Sequence, residues 1–440
     1  MKKNILLMGL SAFLAGIALS CSDNTDDNLP GNKVYFVNGG GEGANVTLYD
    51  TGVKDIYDLH LYRSGKYGNA ANVKVKILSQ AEVDVYNQTY GTNYIPFPAS
   101  GYSVLNNEVT YNGKDEEVDR SVQIEFDPAV VRTILEGNLT NNYAIPVQIE
   151  NASVDFNTAK NVAFIRPLVK DPLVYMGLTG FVYYSYKPDD KVQSIAMEFP
   201  VKVDFKNLWD ITCDIVASQD ILDEYNNEEG TFYTLLPSES YTLDDKAVIK
   251  NGEKKAVAKL NVDGTKLSYG NYALPVVLKS VSKFEVDRQK DAYLIGIFLE
   301  APKLNRKGWE VIDCNSVKQG DGQGVNAILD GDVSTYWHAA YSPLVDFPHY
   351  LVIDMKQEKT ITQVDMQQRD SSFKDTKGGK FYISSDNQDW EYIGSFNMKE
   401  IAEMQNFGVK IAKGRYLKIV IESGYRTNLA ALSEVDVHGE

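Results

Sequence analysis

The sequence holds 440 residues, too many for one ordinary core and enough for about three domains of roughly 100–150 residues each. Hydrophobic residues make up 43% of it and aromatics 11%, so packed cores can form. The formal net charge of −16 leaves nothing to neutralise phosphates, which excludes a nucleic-acid partner.

The first twenty residues differ from the rest. Lys2 and Lys3 precede an apolar run over residues 5–19 that is too short for a membrane span and reads as a signal peptide, residues 1–20. The run ends Ala18-Leu19-Ser20-Cys21. A small residue before this Cys resembles the lipobox of bacterial lipoproteins, with Ala18 where Leu is usual. The resemblance implies cleavage before Cys21 and acylation of its thiol. Residues 21–32 contain Asp23, Asp26 and Asp27 and too little apolar matter to fold, so they read as a tether. The acidic patch resembles the surface-export signal of Bacteroidota-type lipoproteins, which implies the outer face of the outer membrane. Cys213 and Cys314 fall in different expected domains and are expected to be free, buried thiols.

Residues 33–170 and 171–301 read as two copies of one domain. Ile77-Leu78-Ser79-Gln80, Tyr86-Asn87, Pro98 and Tyr102 recur in order as Ile215-Val216-Ala217-Ser218-Gln219, Tyr225-Asn226, Pro237 and Tyr241. Tyr143-Ala144-Ile145-Pro146-Val147 recurs as Tyr272-Ala273-Leu274-Pro275-Val276. Period-two alternation over 73–77, 122–126 and 201–205 predicts strands, and short helices are expected over 81–90 and 221–227. Each copy is thus expected to be a sandwich-like antiparallel domain, with breaks near Lys170-Asp171-Pro172 and Ala301-Pro302. The copies resemble the lipoprotein domain of unknown function numbered 1735. That resemblance implies a spacer or interaction role beside glycan-processing modules, and no catalytic residues.

There is no Gly-x-Ser-x-Gly elbow and no His-Glu-x-x-His pair, and His60, His338, His349 and His438 are not spaced as a metal cluster. Gly39-Gly40-Gly41-Glu42-Gly43 lies between two strand-like runs with no helix after it, and reads as a hairpin turn rather than a dinucleotide loop.

Residues 302–440 carry the most specific pattern. Asp330-Gly331-Asp332-Val333-Ser334-Thr335-Tyr336-Trp337 is followed by His349-Tyr350-Leu351-Val352-Ile353-Asp354, Ser384-Ser385-Asp386, Arg415-Tyr416-Leu417 and Leu432-Ser433-Glu434-Val435. This ordered set resembles the discoidin domain, the coagulation factor V/VIII C type, whose bacterial members are largely family 32 carbohydrate-binding modules. The resemblance implies a jelly-roll β-sandwich, making the chain mainly β throughout. It also implies a structural calcium held by the Leu329 carbonyl, Asp332, Thr335 and Glu434, and sugar held on loops by His338, Tyr341, Arg369, Tyr425 and Asn428. Hard cations need several oxygen ligands at once, and an acidic turn supplies them. Arg369 is expected on an exposed loop, with an ion pair to Asp375 as the structural alternative to a sugar contact. Trp309, Trp337 and Trp390 are expected core anchors.

These features together predict a non-catalytic cell-surface glycan-binding lipoprotein of a polysaccharide or glycoprotein-glycan utilisation system. Its partners would be glycan, the outer membrane, and a glycan importer or secreted glycosidase. The alternative is an adhesion or structural lipoprotein whose discoidin domain grips host protein or lipid.

Overall fold

A strand that buries one face alternates apolar and polar residues. In Ala71–Ile77 the side chains of Ala71, Val73 and Val75 are buried, while Asn72 and Lys74 between them are exposed. The computed structural model describes residues 32–41, 43–64, 69–113, 118–137, 142–187, 190 and 194–440. The expected signal peptide, Cys21 and all of the tether but Asn32 lie outside these residues. Among the described residues no helix is long and apolar enough to cross a membrane. The chain divides between Asp171 and Pro172 into two compact units.

The first unit is the first repeat. One sheet runs in the order Asp155–Phe156, Lys33–Phe36, Asp55–Ser64, Asp119–Phe126, Tyr102–Val104. The other runs Ala44–Tyr49, Val162–Lys170, Tyr143–Ala152, Ala71–Ile77, Glu108–Tyr111. Val34, Phe36, Leu61 and Ile124 from the first share one core with Leu48, Val75, Ile145 and Ile165 from the second. The long pairings are antiparallel, but Ala44–Tyr49 runs parallel to Val162–Lys170 at an edge. The glycine run 39–43 is therefore not a hairpin. The strands on either side of it belong to different sheets, so it crosses from one layer to the other.

The second unit opens with the second repeat, in which every strand has its counterpart. Its sheets run Glu285–Val286, Leu173–Met176, Ile195–Val203, Lys255–Val262, Tyr241–Leu243 and Gly180–Tyr186, Ala292–Leu299, Gly270–Val281, Ile211–Ala217, Lys246–Ile249. The expected helices form as Gln80–Tyr90 and Gln219–Glu229. Ser79 and Ser218 cap their first turns, and Gly91 and Gly230 end them with φ of 66° and 64°, a left-handed conformation that glycine adopts without strain. The loops that follow are held alike. Asn87 donates to the Tyr94 carbonyl at 2.8 Å and accepts from the Tyr94 amide at 2.9 Å, and Asn226 does the same for Tyr233 at 2.9 Å each. Helix Pro128–Glu136, capped by Asp127, was not expected; at its place in the second copy stands only the short turn Gly264–Lys266.

The C-terminal domain is a jelly roll built on two long strands, His349–Gln367 and Gln405–Gly424, which pair with each other. Thr376–Ser384 and Glu391–Asn397 extend the sheet beyond the second, and Glu310–Cys314 and Glu434–Gly439 pair with the first. Register shifts between Asp354 and Lys359, and between Ile361 and Gln363, bend the long strands so that one ladder serves both layers. Trp337 is fully buried in the core and donates from Nε1 to the Ser316 carbonyl at 2.9 Å. Trp309 packs at the margin of this core, while Trp390 is only half-buried, with the Lys418 ammonium 5.4 Å from its ring. Cys213 is a buried free thiol, and Cys314 is free but only partly buried.

Candidate functional site

Three loops at one end of the jelly roll meet around a single carboxylate. The loop 369–375 is closed at its neck by Gln368, a fully buried side chain. Its Nε2 donates to the Thr376 carbonyl at 2.9 Å, and its Oε1 accepts from the Thr376 amide at 3.0 Å. Thr376 in turn donates from Oγ1 to the Ala431 carbonyl at 2.9 Å, beside the short pairing of Trp337–His338 with Ala431–Leu432. This fixes Asp375, which is wholly buried. Arg369 Nη2 lies 2.7 Å from its Oδ2, Arg426 Nε pairs with its Oδ1, and His338 Nε2 stands 3.7 Å from Oδ2. A buried charge is expensive unless paired, and the loops supply two guanidinium groups for it.

A second carboxylate lies beside the first cluster. The Tyr336 hydroxyl donates to Asp321 Oδ1 at 2.7 Å. That bond, joined by one from Tyr341 and by nearby His338 and Arg369, holds the Asp321 carboxyl below its ordinary range against partial burial. The Arg369 guanidinium lies 5.5 Å from the Tyr336 ring, Lys318 lies 4.8 Å from the Tyr341 ring, and Arg426 lies 4.4 Å from the Phe373 ring. Tyr341 is 44% exposed and Phe373 53%, so the rim offers ring faces to solvent over a floor of paired charges.

The sequence-predicted residues separate accordingly. His338, Tyr341 and Arg369 come together. His338 is buried at 2% exposure, with its ring 5.4 Å from that of Tyr341. Arg369 is not the exposed loop residue that was expected. It is 9% exposed, because Asp375 needs its charge. Tyr425 adjoins the cluster through its backbone amide, which donates to the Asp375 carbonyl at 2.8 Å. Its hydroxyl turns away to the Met398 carbonyl at 2.7 Å. Asn428, at φ 56°, donates from Nδ2 to Asp346, and its carbonyl accepts from His349 Nε2 at 3.0 Å. Burial lowers the His349 pKa. Asp321 was missed by sequence reasoning: a lone acid between Gly320 and Gly322 gives no sign that Tyr336 and Tyr341 will reach it.

The acidic turn is built differently from the expected ligand set. The Asp332 carboxylate is exposed and accepts from Ser334 N at 3.0 Å and Ser334 Oγ at 2.6 Å. Asp330 is exposed as well and folds back over the turn: its Oδ1 accepts from the Asp332 amide at 2.8 Å and its Oδ2 from Thr335 Oγ1 at 2.7 Å, and that hydroxyl also lies 2.9 Å from the Asp332 carbonyl. Glu434 is 3% exposed, and its Oε2 accepts from Arg306 Nη1 at 2.6 Å. The same nitrogen reaches the carbonyl of Ile328, one residue before Leu329, at 3.2 Å. Glu434 Oε1 is buried with no hydrogen bond among the described residues. Burial raises the Glu434 pKa, opposed by Arg306. Carboxylate, carbonyl and hydroxyl oxygens with one orphaned carboxylate oxygen form a donor set that suits a hard cation.

Comparison with known proteins places these parts. Residues 30–155 and 170–285, together more than half of the chain, match one and the same family, described as a "-like, N-terminal domain". Residues 311–435 match the F5/8 type C domain. Among solved structures, the chain is similar to the C-terminal domain of a chitobiase from Bacteroides fragilis, at 28% identity over 32% of this chain and 98% of that one, with a TM-score of 0.30. A fragment of a chitobiase-related protein from Bacteroides thetaiotaomicron is 26% identical over 31% and 92%, with a TM-score of 0.30. A family 32 carbohydrate-binding module from Clostridium perfringens, solved with GalNAc-β-1,3-galactose, is 20% identical over 31% and 100%, with a TM-score of 0.29. No curated protein matches the chain.

The geometry around Asp375 makes a stability prediction. Arg369→Ala leaves a fully buried carboxylate with Arg426 as its one remaining guanidinium, and should cost about 3 kcal/mol of unfolding free energy. Arg369→Ala combined with Asp375→Ala should recover part of that loss. Denaturant titration of the two variants checks this; an Arg369→Ala variant as stable as the parent would show that the pair carries little.

Proposed function

The chain belongs to the family of that N-terminal domain, which it carries twice, and on this premise we propose that it is a lipid-anchored surface protein that holds glycan through its F5/8 type C domain. The observation that carries the proposal is the loop cluster of Tyr341, Arg369, Asp321 and His338. A sugar needs donors and acceptors for its hydroxyls and a flat ring for its C–H face. Tyr341 offers an exposed ring, and beneath it Asp321 and Arg369 are held in place by partners that leave little freedom to lose on binding. Tyr425 and Asn428 border the cluster as further contacts. A shallow site of this kind binds weakly, in a range where a millimolar dissociation constant corresponds to about 4 kcal/mol. Many copies on one surface would compensate through avidity. This role fits a polysaccharide or glycoprotein-glycan utilisation system, with an importer or a secreted glycosidase as partner.

One observation favours a second reading. Leu344 is 54% exposed and Phe373 53%, on the loops that carry Tyr341 and Arg369. Apolar side chains at a rim also suit a lipid or host-protein surface. Titrating the intact chain with a glycan that it retains from an array, alongside liposomes, separates the two. Tyr341→Ala, at an exposed position, should weaken the glycan by about ten-fold while leaving the melting curve in place. Unchanged glycan affinity in that variant, or binding to liposomes alone, would move the function to the second reading.

Calcium belongs to this proposal as a brace. Asp330, the Asp332 carbonyl, Thr335 and Glu434 would hold it, and it would fix the turn that leads into Trp337–His338. A ligand bound only to the folded state raises stability by mass action. Calcium should therefore raise the melting temperature, and Asp330→Ala should abolish that rise while Asp332→Ala keeps most of it. Equal melting with calcium and with chelator would sink the proposal.

The anchor is proposed at Cys21. Two or three acyl chains, at about 0.8 kcal/mol per buried methylene, hold a protein to a membrane almost permanently. Cys21→Ala should move the protein out of the membrane fraction, and a variant still processed and membrane-bound as before would refute the assignment.

A further inference from the structure

The helix Gln80–Tyr90 of the first repeat borders a cleft of about 810 Å³, within the size range of small-ligand sites. Tyr86 and Tyr90, one helical turn apart, line it with ring centroids 4.5 Å apart, and Tyr90 is 63% exposed. Gln148 and Asn161 also line it, with Glu82 at the start of the helix. A second hollow of about 510 Å³ shares Gly41, Tyr86 and Tyr90 with it and adds Asn93 and Arg166.

The twin repeat packs the same place differently. Ile165 pairs with Ala44 in the first copy and Ile295 with Val182 in the second, so Gly43 and Phe181 hold one register position, as do Arg166 and Gly296. In the second copy Phe181 stacks on Tyr225 at 5.5 Å and 11° and lies 5.6 Å from Tyr233. A Cβ on Gly296 would fall 2.5 Å from the Phe181 ring and 2.7 Å from the Tyr183 ring, so the rings lie on the glycine. In the first copy the ring is replaced by Gly43 and the glycine by Arg166. Tyr90 stands where the second copy has Glu229, by the constant offset that relates Tyr86 to Tyr225. In the first repeat Tyr86 packs instead on Phe164, at 4.8 Å, and Tyr90, which has no aromatic counterpart in the second, is left 63% exposed.

We propose that this cleft is a second carbohydrate site, taking a neutral oligosaccharide with Tyr90 stacked on a sugar face and Gln148 and Asn161 on its hydroxyls. The choice of ligand follows from the lining. An apolar peptide or acyl chain would cover the carboxamides and leave their hydrogen bonds unmade, at a cost for each. Sugar hydroxyls both donate and accept, as carboxamides do. The inference goes beyond the C-terminal site and stands or falls without it.

The test uses the intact chain and four neutral disaccharides, lactose, cellobiose, chitobiose and mannobiose, followed by saturation-transfer NMR and calorimetry. At least one should bind a Tyr341→Ala variant with the affinity it shows for the parent. The same disaccharide should bind Tyr90→Ala about ten-fold more weakly, since the stacked ring face is lost. Asn161→Ala should weaken it as well, with unchanged melting in both. The proposal is overturned if none of the four binds the Tyr341→Ala variant, or if binding ignores both Tyr90→Ala and Asn161→Ala. It is equally overturned if only the apolar dye ANS occupies the cleft in a Tyr90-dependent way, which would make it an apolar docking groove.

Discussion

A carboxylate with no access to water must be neutralised by what surrounds it, and the binding end of the C-terminal domain is organised by that requirement at Asp375. Arg369 reaches it from the same loop, Arg426 from the loop before the last strand, and His338 from the short strand after the acidic turn. Three segments far apart in sequence are thereby tied to one point. The arrangement costs desolvation, and buried ion pairs of this kind add specificity of geometry more readily than net stability. Here the geometry it specifies is that of the rings above it. With the charges below already paired, Tyr341 and Phe373 are held at the rim rather than drawn inward.

The two repeats show how little sequence separates two packings of one surface. Their sheets have the same strand order, their helices end on left-handed glycines, and their post-helix loops are clasped by Asn87 and Asn226 in the same way. These shared features are all backbone constraints. What differs is side-chain bulk at diagonal positions of two neighbouring strands: Gly43 and Arg166 in one copy, Phe181 and Gly296 in the other. The ring on the helix tyrosine comes from a different strand in each copy, Phe164 in the first and Phe181 in the second, without altering the ladder, because diagonal neighbours on one face of a sheet share one space. Duplication followed by this kind of exchange preserves a scaffold while changing one copy's surface.

Much of the architecture was legible because it rests on short-range rules. Period-two alternation located strands such as Ala71–Ile77, and the helices expected over 81–90 and 221–227 form within two residues of those bounds. The ordered pattern of the last third gave the jelly roll, and its run of turn residues gave the acidic turn. Non-local facts were not legible. The glycine run 39–43 looks like a hairpin because its neighbours are both strand-like, and nothing local says that they join different sheets. Arg369 could be recognised as a residue of the site but not as buried, since its exposure depends on where Asp375 lies six residues on. In the acidic turn, Asp330 and Asp332 are chemically equivalent on paper; only the bonds to Thr335 and to Ser334 tell them apart.

Those bonds matter because the turn is also knitted to the segment that enters the domain. Arg306 binds Glu434 and the carbonyls of Ile328 and Val435, and its Nε lies 3.0 Å from Asp436. Three residues earlier, Lys303 pairs with Asp436. His438 places Nδ1 2.9 Å from the Ala301 carbonyl and Nε2 2.9 Å from Asp365 Oδ2. With an acceptor at each nitrogen the imidazole is best satisfied as the cation, and the Asp365 bond raises its pKa accordingly. Residues 301–306 therefore supply two firm cations to acids of the final strand, and the last strand supplies a third charge in return. Phe232 of the second repeat meets Tyr392 of the C-terminal domain at 5.8 Å, and Gly270 has no room for a side chain because Ile411 fills it. A segment so tied at both ends acts as a fixed joint rather than a flexible linker. Displacing Arg306 would withdraw the cation paired with Glu434 and, through Ile328, disturb the turn that leads to His338. The electrostatics of the entry segment and the shape of the binding loops are consequently parts of one structure.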